Sequence, residues 1–325
     1  MTISVLGAGT WGTAIALSLS HQQKIILWTR NQDTFDLINF QRKSNKFAHC
    51  RIPNNIVASI SIEDVINTTV IIIAVPTQCL REICHQLNNH NIKQQVVIIL
   101  TCKGIEQDTL KLPSEIVNEI LPNNPIAIFS GPSFAIEVVK KLPYSMVLAS
   151  IDDILLTSLA SQLQQKNLAL FLTSDVVGIQ ICAALKNVFA IACGIILGRN
   201  LGSNTHALLI TKSMSEIMNL YIAKIGKLNI DTLMGPACLG DLMITCTSLN
   251  SRNLFFGMQI GKSKNDFEVQ KIISERKLLI EGFSTAKSAY NLSKQLQIKI
   301  PICEAIYRLL YKNYIINDIL EILIN

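Results

Sequence analysis

The fold is decided by residues 2–19, which read T-I-S-V-L-G-A-G-T-W-G-T-A-I-A-L-S-L. The first five residues are apolar or β-branched and predict a strand, and the last seven predict a helix. Between them Gly7, Gly9 and Gly12 form G-x-G-x-x-G in the strand–turn–helix context that gives this motif meaning. Gly7 permits the tight turn, Gly9 lets backbone approach a pyrophosphate, and Gly12 lets the helix pack closely on the strand. Because free N–H groups and the dipole at a helix start favour an anion, this stretch predicts a dinucleotide site.

The composition is that of a globular chain with room for two domains. It has 325 residues, of which 49% are hydrophobic and 16% are charged, so disorder is excluded. The net charge is +6 without a run of five like charges, which argues against a nucleic-acid partner. The nine cysteines show no C-x-x-C and no zinc spacing with the five histidines. We therefore expect no metal and a reducing, cytoplasmic location.

Two stretches bear on membranes. Met1 leads straight into the first predicted strand without a basic segment, so we expect no signal peptide. Residues 176–198 are long and apolar enough to resemble a membrane span, but Lys186 and Asn187 lie at their middle. Because a charge there is costly in hydrocarbon, we predict a buried helix and no integral membrane segment.

Apolar runs separated by helical patterns predict an α/β fold with a doubly wound, Rossmann-like parallel sheet. Ligands of such sheets bind outside the carboxyl ends of the strands. The strands are predicted at residues 2–6, 24–28, 70–75, 96–100, 126–129 and 146–149. The rim at their carboxyl ends is expected to hold Thr10, Trp11, Arg30, Pro76, Lys103, Ser133 and Ala135.

Arg30 bears on the choice of cofactor. It follows the second predicted strand, near the place where an acidic residue would bind the ribose 2′-hydroxyl of NAD. A guanidinium group instead suits a 2′-phosphate through charge-assisted hydrogen bonds. We predict that NADP(H) is preferred and that NAD(H) is the second choice. The alternative interpretation of Arg30 is a solvated surface arginine.

Helical periodicity dominates after about Thr173. The sequence predicts a dinucleotide-binding domain over residues 1–173 and an all-helical substrate domain over residues 174–325, with the active cleft between them. The apolar tail after Tyr311 is expected to close the core or to contact another subunit. Helices are predicted at residues 175–198, 204–225, 254–261, 285–296 and 302–312, with turn-rich breaks at 200–203 and 235–240.

Lys186 is the most informative side chain, because its helix is apolar on both faces. A lysine in such a place must snorkel, pair with an acid or line a polar cleft. When partly desolvated it can have a lowered pKa and give a proton to the oxygen of a ketone during reduction. The alternative is that Lys186 forms a structural ion pair.

Lys103 is the second candidate. It lies at the end of a predicted strand and is followed by Gly104, and the alternative is an ordinary loop lysine.

A third cluster follows the turn-rich run G-P-A-C-L-G. It consists of Gly240, Asp241 and Leu242, then Thr245, Cys246 and Thr247, and then the tripeptide Ser251, Arg252 and Asn253. A hydroxyl, a planar guanidinium group and an amide together suit a phosphate. The same tripeptide is also typical of a helix cap followed by a surface arginine.

Seven motifs in order along the chain resemble those of bacterial NAD(P)-dependent sn-glycerol-3-phosphate dehydrogenase, from Val5 to about Glu281. The resemblance implies reversible reduction of dihydroxyacetone phosphate, a phosphorylated triose, to sn-glycerol 3-phosphate for phospholipid synthesis. It also implies a homodimer. The motifs are G-A-G-T-W-G-T-A, A-V-P-T, K-G-I, S-G-P-S-F-A-x-E-V, A-A-L-K-N-V-F-A-I-A-C-G, G-D-L-x-x-T-C-T and S-R-N.

The resemblance also implies individual roles. Lys186 becomes the catalytic proton donor in the reducing direction, with Lys103 and Asp241 beside it. The implied substrate contacts are Lys103, Gly131, Ser133, Lys186, Asp241, Ser251, Arg252 and Asn253. The implied cofactor contacts, beside Gly7, Gly9 and Gly12, are Thr10, Trp11, Arg30, Lys103, Ala135, Arg252, Leu279 and Glu281.

The chain departs from this family at several positions. His206 stands where the family usually has arginine, Ser248 replaces a common aspartate, and residues 236–238 form a less usual turn. These departures bear on substrate affinity and on regulation more than on the type of reaction. Two alternative functions stay open. One is a related dehydrogenase of a hydroxyacyl or ketoacid substrate, and the other is a non-catalytic nucleotide-sensing module, which would have no reason to retain Lys186.

Overall fold

The computed structural model describes residues 2–276 and 279–324. They form two compact units. The sheet unit comprises Met1–Cys102 and Pro113–Val176, and the helical unit comprises Lys103–Leu112 and Val177–Asn325. The domain boundary after residue 173 stays a prediction. The sequence did not indicate that residues 103–112 belong with the helices; they do so because Ile105 and Leu112 are buried in the helical core.

The described residues of the sheet unit form one eight-stranded sheet in the order β3-β2-β1-β4-β5-β6-β7-β8. The predicted doubly wound sheet is confirmed, with one difference: β7 runs antiparallel to β6, and β8 runs parallel to β7. The strands are β1 (Thr2–Leu6), β2 (Lys24–Trp28), β3 (Ile56–Ser59), β4 (Val70–Ile73), β5 (Val97–Leu100), β6 (Ile126–Ser130), β7 (Tyr144–Ala149) and β8 (Leu168–Thr173).

Strands β3 and β8 were not predicted. They form the two edges of the sheet. Strand β3 has only four residues and exposes Val57, whereas β4 is buried along its whole length. Since a parallel strand buried on both faces is continuously apolar, the central strands are easier to predict than the edges. Strand β8 is an apolar run without alternation, so periodicity alone did not separate it from the helical half that follows.

Helices connect the strands of the sheet unit. The turn between β1 and the first helix has the predicted geometry. Gly7 has a φ of +113°, and a Cβ on Gly12 would lie 1.9 Å from the carbonyl oxygen of Gly7. Glycine is therefore required at both positions. The helices are α1 (Thr10–Leu19), α2 (Gln32–Asn39), α3 (Ile62–Ile66), α4 (Leu80–Asn89), α5 (Pro113–Ile120), α6 (Ala135–Val139) and α7 (Asp153–Leu163).

The helical unit is built around α8, whose 23 residues are almost all buried. This helix is long and apolar enough to cross a membrane, and the mean hydropathy of its most apolar 18 residues is 2.0, but 94% of that stretch is buried within the protein. The predicted buried helix is thus what the structure contains. The helices of this unit are α8 (Val176–Gly198), α9 (Gly202–Ile225), α10 (Ile230–Met234), α11 (Asp241–Thr247), α12 (Arg252–Gly261), α13 (Asp266–Ser274), α14 (Glu281–Gln295), α15 (Pro301–Tyr311) and α16 (Ile316–Ile324).

Helices α8 and α12 approach each other through glycines. A Cβ on Gly257 would lie 2.0 Å from the carbonyl oxygen of Ile191, and one on Gly194 would lie 2.1 Å from that of Leu254. Gly198 and Gly261 meet one turn further along the two helices. Small residues four apart on both helices let the backbones touch. This contact fixes the position of α12 against the helix that carries Lys186.

The apolar tail closes the core of the helical unit. Ile316, Ile319 and Leu323 on α16 are buried in that core. The backbone N–H of Ile316 also donates to Asp266 Oδ1 at 3.1 Å. Of the two roles considered for the tail, core closure is therefore the one seen in the described residues.

Candidate active site

One carboxylate joins two lysines in the helical unit. Asp241 Oδ1 accepts a hydrogen bond from Lys186 Nζ at 2.7 Å, and Asp241 Oδ2 accepts one from Lys103 Nζ at 2.8 Å. Lys186 and Asp241 are only 6% and 2% exposed. The three residues come from distant parts of the sequence: the middle of α8, the start of α11 and the segment before Leu112. All three were predicted to be catalytic, and the structure brings them together.

The turn before α11 sets the position of Asp241. Residues Pro236–Gly240 form one turn of π-helix, and α11 begins directly after it. Such wide turns are rare and are frequently found at functional sites. The sequence predicted this stretch only as turn-rich. Its helical character was hidden because glycine and proline at both ends are the usual marks of a loop.

Thr245, which the sequence placed in the third cluster without a role, is part of this site. It lies one turn after Asp241 on α11. Its hydroxyl accepts a hydrogen bond from Lys186 Nζ at 2.8 Å and contacts Asp241 Oδ1 at 3.4 Å. The spacing of four residues in G-D-L-x-x-T places both side chains on one face of the helix and was the available signal. Thr245 thus gives the buried ammonium a second acceptor.

Burial and neighbouring charges shift the pKa values of Lys186 and Asp241 in opposite directions. Desolvation lowers the pKa of Lys186 to about 8, although the neighbouring Asp241 carboxylate counteracts the fall. Burial tends to raise the pKa of Asp241, but the charges of Lys103 and Lys186 outweigh it and hold that pKa below its usual value. Asp241 therefore stays ionised, while Lys186 can lose a proton near neutral pH.

Asn187, the residue after Lys186, ties three further segments to this cluster. Its amide donates to the carbonyl oxygen of Lys103 at 3.2 Å and to Glu281 Oε2 at 3.3 Å. It also accepts from Asn253 Nδ2 at 3.0 Å. Asn253 Oδ1 in turn accepts from the backbone N–H of Gly282 at 3.0 Å. This network holds Lys103, α12 and the start of α14 in fixed positions around α8.

The site carries more positive than negative charge. Lys103, Lys186 and Arg252 act on Glu281 with their positive charges, which offset part of the increase in pKa that burial causes in this carboxyl group. With Asp241 as the second carboxylate, three cationic side chains face two acidic ones among the described residues. An excess of cationic groups in a partly buried site favours an anionic ligand.

The predicted tripeptide begins α12. Ser251 is the N-cap, and its Oγ accepts from the backbone N–H of Leu254 at 3.2 Å. Arg252 is exposed at the first position of the helix, while Asn253 is buried in the Asn187 network. The helix-cap interpretation therefore applies to Ser251. It also leaves Arg252 at the positive end of the α12 dipole, where an anion is stabilised.

The turn after β1 in the sheet unit is suited to a dinucleotide. Gly9 is the N-cap of α1, no side chain caps this helix, and its first turn contains no acidic residue. A Cβ on Gly9 would meet no atom within 4 Å, so the backbone here is open to a ligand. Thr10 and Trp11 follow in the first turn, and Arg30 is exposed two residues after the end of β2. These residues fit a pyrophosphate at the helix start.

Other predicted contacts also lie in the sheet unit. Ser133 Oγ donates to the carbonyl oxygen of Gly131 at 3.1 Å. A Cβ on Gly131 would lie 2.7 Å from the carbonyl oxygen of Ser145, so packing against β7 also requires this glycine. Ala135 is the first residue of α6. Leu279 is exposed and lies two residues before Glu281, which begins α14 of the helical unit.

The departures from the resembling family lie beside the site. His206 Nε2 is 2.9 Å from the carbonyl oxygen of Cys246, the residue after Thr245. Ser248 ends α11, and its Oγ accepts from the backbone N–H of Asn250 at 3.2 Å. Both residues support the backbone around α11, and neither touches Lys103, Lys186 or Arg252 in the described contacts.

Comparison with known proteins gives one consistent result. The model of the NAD-dependent glycerol-3-phosphate dehydrogenase N-terminus matches residues 2–155, and that of the C-terminus matches residues 175–321. A protein of Wolbachia sp. subsp. Drosophila simulans (strain wRi), named glycerol-3-phosphate dehydrogenase [NAD(P)+], is 64% identical, with 100% of both chains covered. A protein of the same name from Ehrlichia chaffeensis is 46% identical over 96% of this chain and 97% of that relative. The crystal structure of glycerol-3-phosphate dehydrogenase from Coxiella burnetii matches with a TM-score of 0.90 and 31% identity, covering 99% of this chain and 97% of that chain.

Proposed function

The chain belongs to the NAD-dependent glycerol-3-phosphate dehydrogenase family, and from that premise we propose that it reversibly reduces dihydroxyacetone phosphate to sn-glycerol 3-phosphate. As a member of this family it is an NAD(P)-linked oxidoreductase. The product would serve glycerophospholipid synthesis. The observation that carries the proposal is the Lys103–Asp241–Lys186 cluster, since it offers a proton and positive charge at one place.

In this proposal the sheet unit holds the cofactor. The open backbone at Gly9 and the uncapped start of α1 suit its pyrophosphate. Trp11, Ala135, Leu279, Glu281 and Arg252 would add the further cofactor contacts. When bound, the reduced nicotinamide supplies the hydride for the ketone carbon. Arg30 would favour NADP(H) over NAD(H), because its guanidinium can bind the 2′-phosphate.

Lys186 would be the general acid. Its ammonium is desolvated and has a pKa lowered to about 8, close to the range in which proton transfer is efficient. The hydrogen bonds to Asp241 and Thr245 would aim the remaining proton at the substrate oxygen. Lys103 would add positive charge where negative charge develops on that oxygen. Asp241 would stay ionised throughout and keep both ammonium groups in position.

The start of α12 would bind the substrate phosphate. Arg252 is exposed at the positive end of this helix. Its guanidinium can form two parallel hydrogen bonds to a phosphate, and this contact would fix the carbonyl relative to Lys186. The Ser251 hydroxyl can still donate while its oxygen accepts from Leu254. Asn253, Gly131 and Ser133 complete the proposed set of substrate contacts.

We also propose that the enzyme works as a homodimer in the cytoplasm. The nine cysteines are free thiols, which suits a reducing compartment. Size-exclusion chromatography with light scattering would measure the dimer directly; a monomer at working concentration would remove that part of the proposal.

The test is an absorbance assay of nicotinamide oxidation with dihydroxyacetone phosphate. We expect turnover by the native chain and a fall in kcat of roughly a hundredfold or more in Lys186→Ala, with cofactor affinity retained. Lys262→Ala, which removes an exposed lysine after α12, is the matched control and should leave kcat unchanged. Absence of turnover with either cofactor would contradict the function. Near-normal turnover of Lys186→Ala would contradict the role of Lys186 alone.

A further inference from the structure

The sheet unit contains a cavity that the proposed reaction does not use. Its volume is about 460 Å³, within the range of about 300–1,000 Å³ that is typical of ligand pockets. It lies beside Leu17 and Leu19 at the carboxyl-terminal end of α1. Since α1 has ten residues, this end is roughly 15 Å from the glycine turn at the start of the helix. The cavity is therefore separate from the proposed pyrophosphate site.

The wall and the rim of this cavity differ in character. The wall includes Leu17, Leu19, Pro53, Val138 and Val139, and the rim includes Arg51, Lys141 and Lys166. The residues that line the cavity include no aspartate or glutamate. An apolar wall beside a cationic rim is complementary to a molecule that has an aliphatic part and an anionic head.

The three rim cations are available to a ligand. Arg51, Lys141 and Lys166 are exposed, and within residues 2–276 and 279–324 none of them forms an ion pair with a carboxylate. The carboxyl-terminal ends of α1, α6 and α7 also lie near the cavity and contribute at most about half a negative charge each. Three full positive charges exceed these partial charges, so the rim remains attractive to an anion.

We propose that this cavity binds a single-chain anionic amphiphile, an acyl carboxylate or an alkyl or acyl phosphate. The aliphatic chain lies against Leu17, Leu19 and Val139, and the anionic head lies beside Arg51 and Lys166. Burial of the aliphatic chain supplies most of the affinity, because transfer of CH₂ groups from water to an apolar wall is favourable. The cations select molecules with a negative head over neutral ones.

Occupancy of the cavity is coupled to the cofactor site, and this second part rests on the proposed function. The wall is formed by the ends of α1 and α6, Leu17 to Leu19 and Val138 to Val139. The opposite ends of the same helices carry Thr10, Trp11 and Ala135. A ligand that moves the end of either helix at the cavity also moves the start of that helix at the proposed cofactor site. Thermodynamic linkage makes the coupling reciprocal, so cofactor binding changes the affinity of the cavity for its ligand by the same factor.

The experiment measures binding of decyl phosphate, below its micelle concentration, to the full chain by calorimetry. Decanoate, inorganic phosphate and decanol are the comparison probes. We expect decyl phosphate or decanoate to bind at least tenfold more tightly than both inorganic phosphate and decanol. Equal affinity for inorganic phosphate would identify a simple anion patch and overturn the proposal, and so would equal affinity for decanol.

Charge-reversal variants locate the ligand. Arg51→Glu and Lys166→Glu should each weaken decyl phosphate binding roughly tenfold, because each turns an attraction into a repulsion. Lys227→Glu, an exposed lysine in the helical unit, makes the same charge change and should leave binding unaffected. Unchanged binding in both rim variants would overturn the site.

The coupling is tested by repeating the titration with saturating NADPH. A change of threefold or more in the decyl phosphate affinity supports the coupling, and identical affinities overturn it while leaving the cavity as a binding site. The binding arms need no catalytic turnover. A failure of the proposed dehydrogenase activity and a failure of this site are therefore distinguishable.

Discussion

Lys186 can lie in an apolar helix because a carboxylate and a hydroxyl receive its hydrogen bonds. A single buried ion pair gains little net stability, since desolvation consumes most of the attraction. Here one aspartate serves two lysines at 2.7 and 2.8 Å, which leaves one positive charge in excess. That excess charge costs stability and is suited to an anionic substrate, so the arrangement favours function over stability.

The sequence could identify Lys186 and, through the family resemblance, Asp241 beside it, but not the roles of the other residues around them. A lysine among apolar residues at helical spacing is conspicuous, because it needs a physical explanation. The helical spacing places Thr245 on the same face as Asp241, but it does not show that the Thr245 hydroxyl accepts from a buried ammonium group. Asn187 is a common residue type in helices, and nothing local marks it as a hydrogen-bond partner of Lys103. Their roles arise from contacts between residues 59 and 84 positions apart in the sequence.

Arg252→Ala should act mainly on substrate binding. Loss of a charge-assisted phosphate contact is expected to raise KM for dihydroxyacetone phosphate by roughly ten- to a hundredfold, with a smaller change in kcat. Steady-state kinetics provides the measurement, and dihydroxyacetone without phosphate is the control substrate, for which the mutation should cause no further loss. An unchanged KM would move the phosphate site elsewhere.

Arg30→Asp should change the cofactor preference. The substitution removes a partner of the 2′-phosphate and supplies a carboxylate that can bind a ribose 2′-hydroxyl. Affinity for NADPH should fall by roughly tenfold or more relative to that for NADH, measured by fluorescence titration of both cofactors. Equal losses for the two cofactors would show that Arg30 is a solvated surface residue.

Secondary-structure elements were predicted best where burial leaves a regular pattern. Strands β1 and β2 begin and end at the predicted residues, because the glycine turn and the polar flanks define their limits. The reversal of β7 could not be foreseen, since an apolar strand carries no mark of its direction. Helices α10 and α13 and the π-turn before Asp241 are short or lie in polar surroundings, where periodicity is weak.

Gly257→Ala tests how helix packing supports the site. The added Cβ would lie 2.0 Å from the carbonyl oxygen of Ile191, so α12 must move away from α8. We expect a loss of roughly 1–3 kcal/mol in the free energy of unfolding. KM for dihydroxyacetone phosphate should also rise, because Arg252 moves with the helix. Denaturant unfolding and kinetics would measure both effects.

Gln259→Ala, a partly exposed position on the same helix, is the control for this variant. It should change the free energy of unfolding by no more than about 0.5 kcal/mol. A stable Gly257→Ala variant with native kinetics would show that the glycine contact does not set the position of α12.

At the scale of the whole molecule, the two units carry different parts of the proposed reaction. The sheet unit provides an open, uncapped helix start for a dinucleotide, and the helical unit provides the lysines and the proposed phosphate contacts.

The helical unit also contains a titratable group outside the site. Glu216 on α9 is buried and accepts hydrogen bonds from the backbone N–H groups of Ile302 and Cys303 at the start of α15.

Glu216 should make the stability of the chain depend on pH. Burial raises its pKa from 4.5 to about 7, although the two backbone donors counteract the rise. The folded state therefore binds this proton more tightly than the unfolded state does. Its stabilising contribution is full below about pH 4.5 and is lost as the pH rises through about 7.

Glu216→Gln should flatten this pH dependence. The amide oxygen can still accept from the helix start but does not titrate. Between pH 4.5 and 7 the native chain should lose up to roughly 3 kcal/mol relative to the variant, as measured by urea unfolding at each pH. Parallel stability curves for the two chains would contradict the assignment.

The pH dependence of kcat/KM for dihydroxyacetone phosphate reduction tests the role of Lys186 most directly. If its ammonium is the general acid, activity should fall as the pH rises through about 8, the lowered pKa of this lysine. Asp241→Asn should move the fall to lower pH, because the lost carboxylate is what raises that pKa against burial. A kcat/KM profile that stays level well above pH 8 would contradict the role of Lys186 as general acid. A fall in activity that occurs at the same pH in Asp241→Asn would contradict it as well.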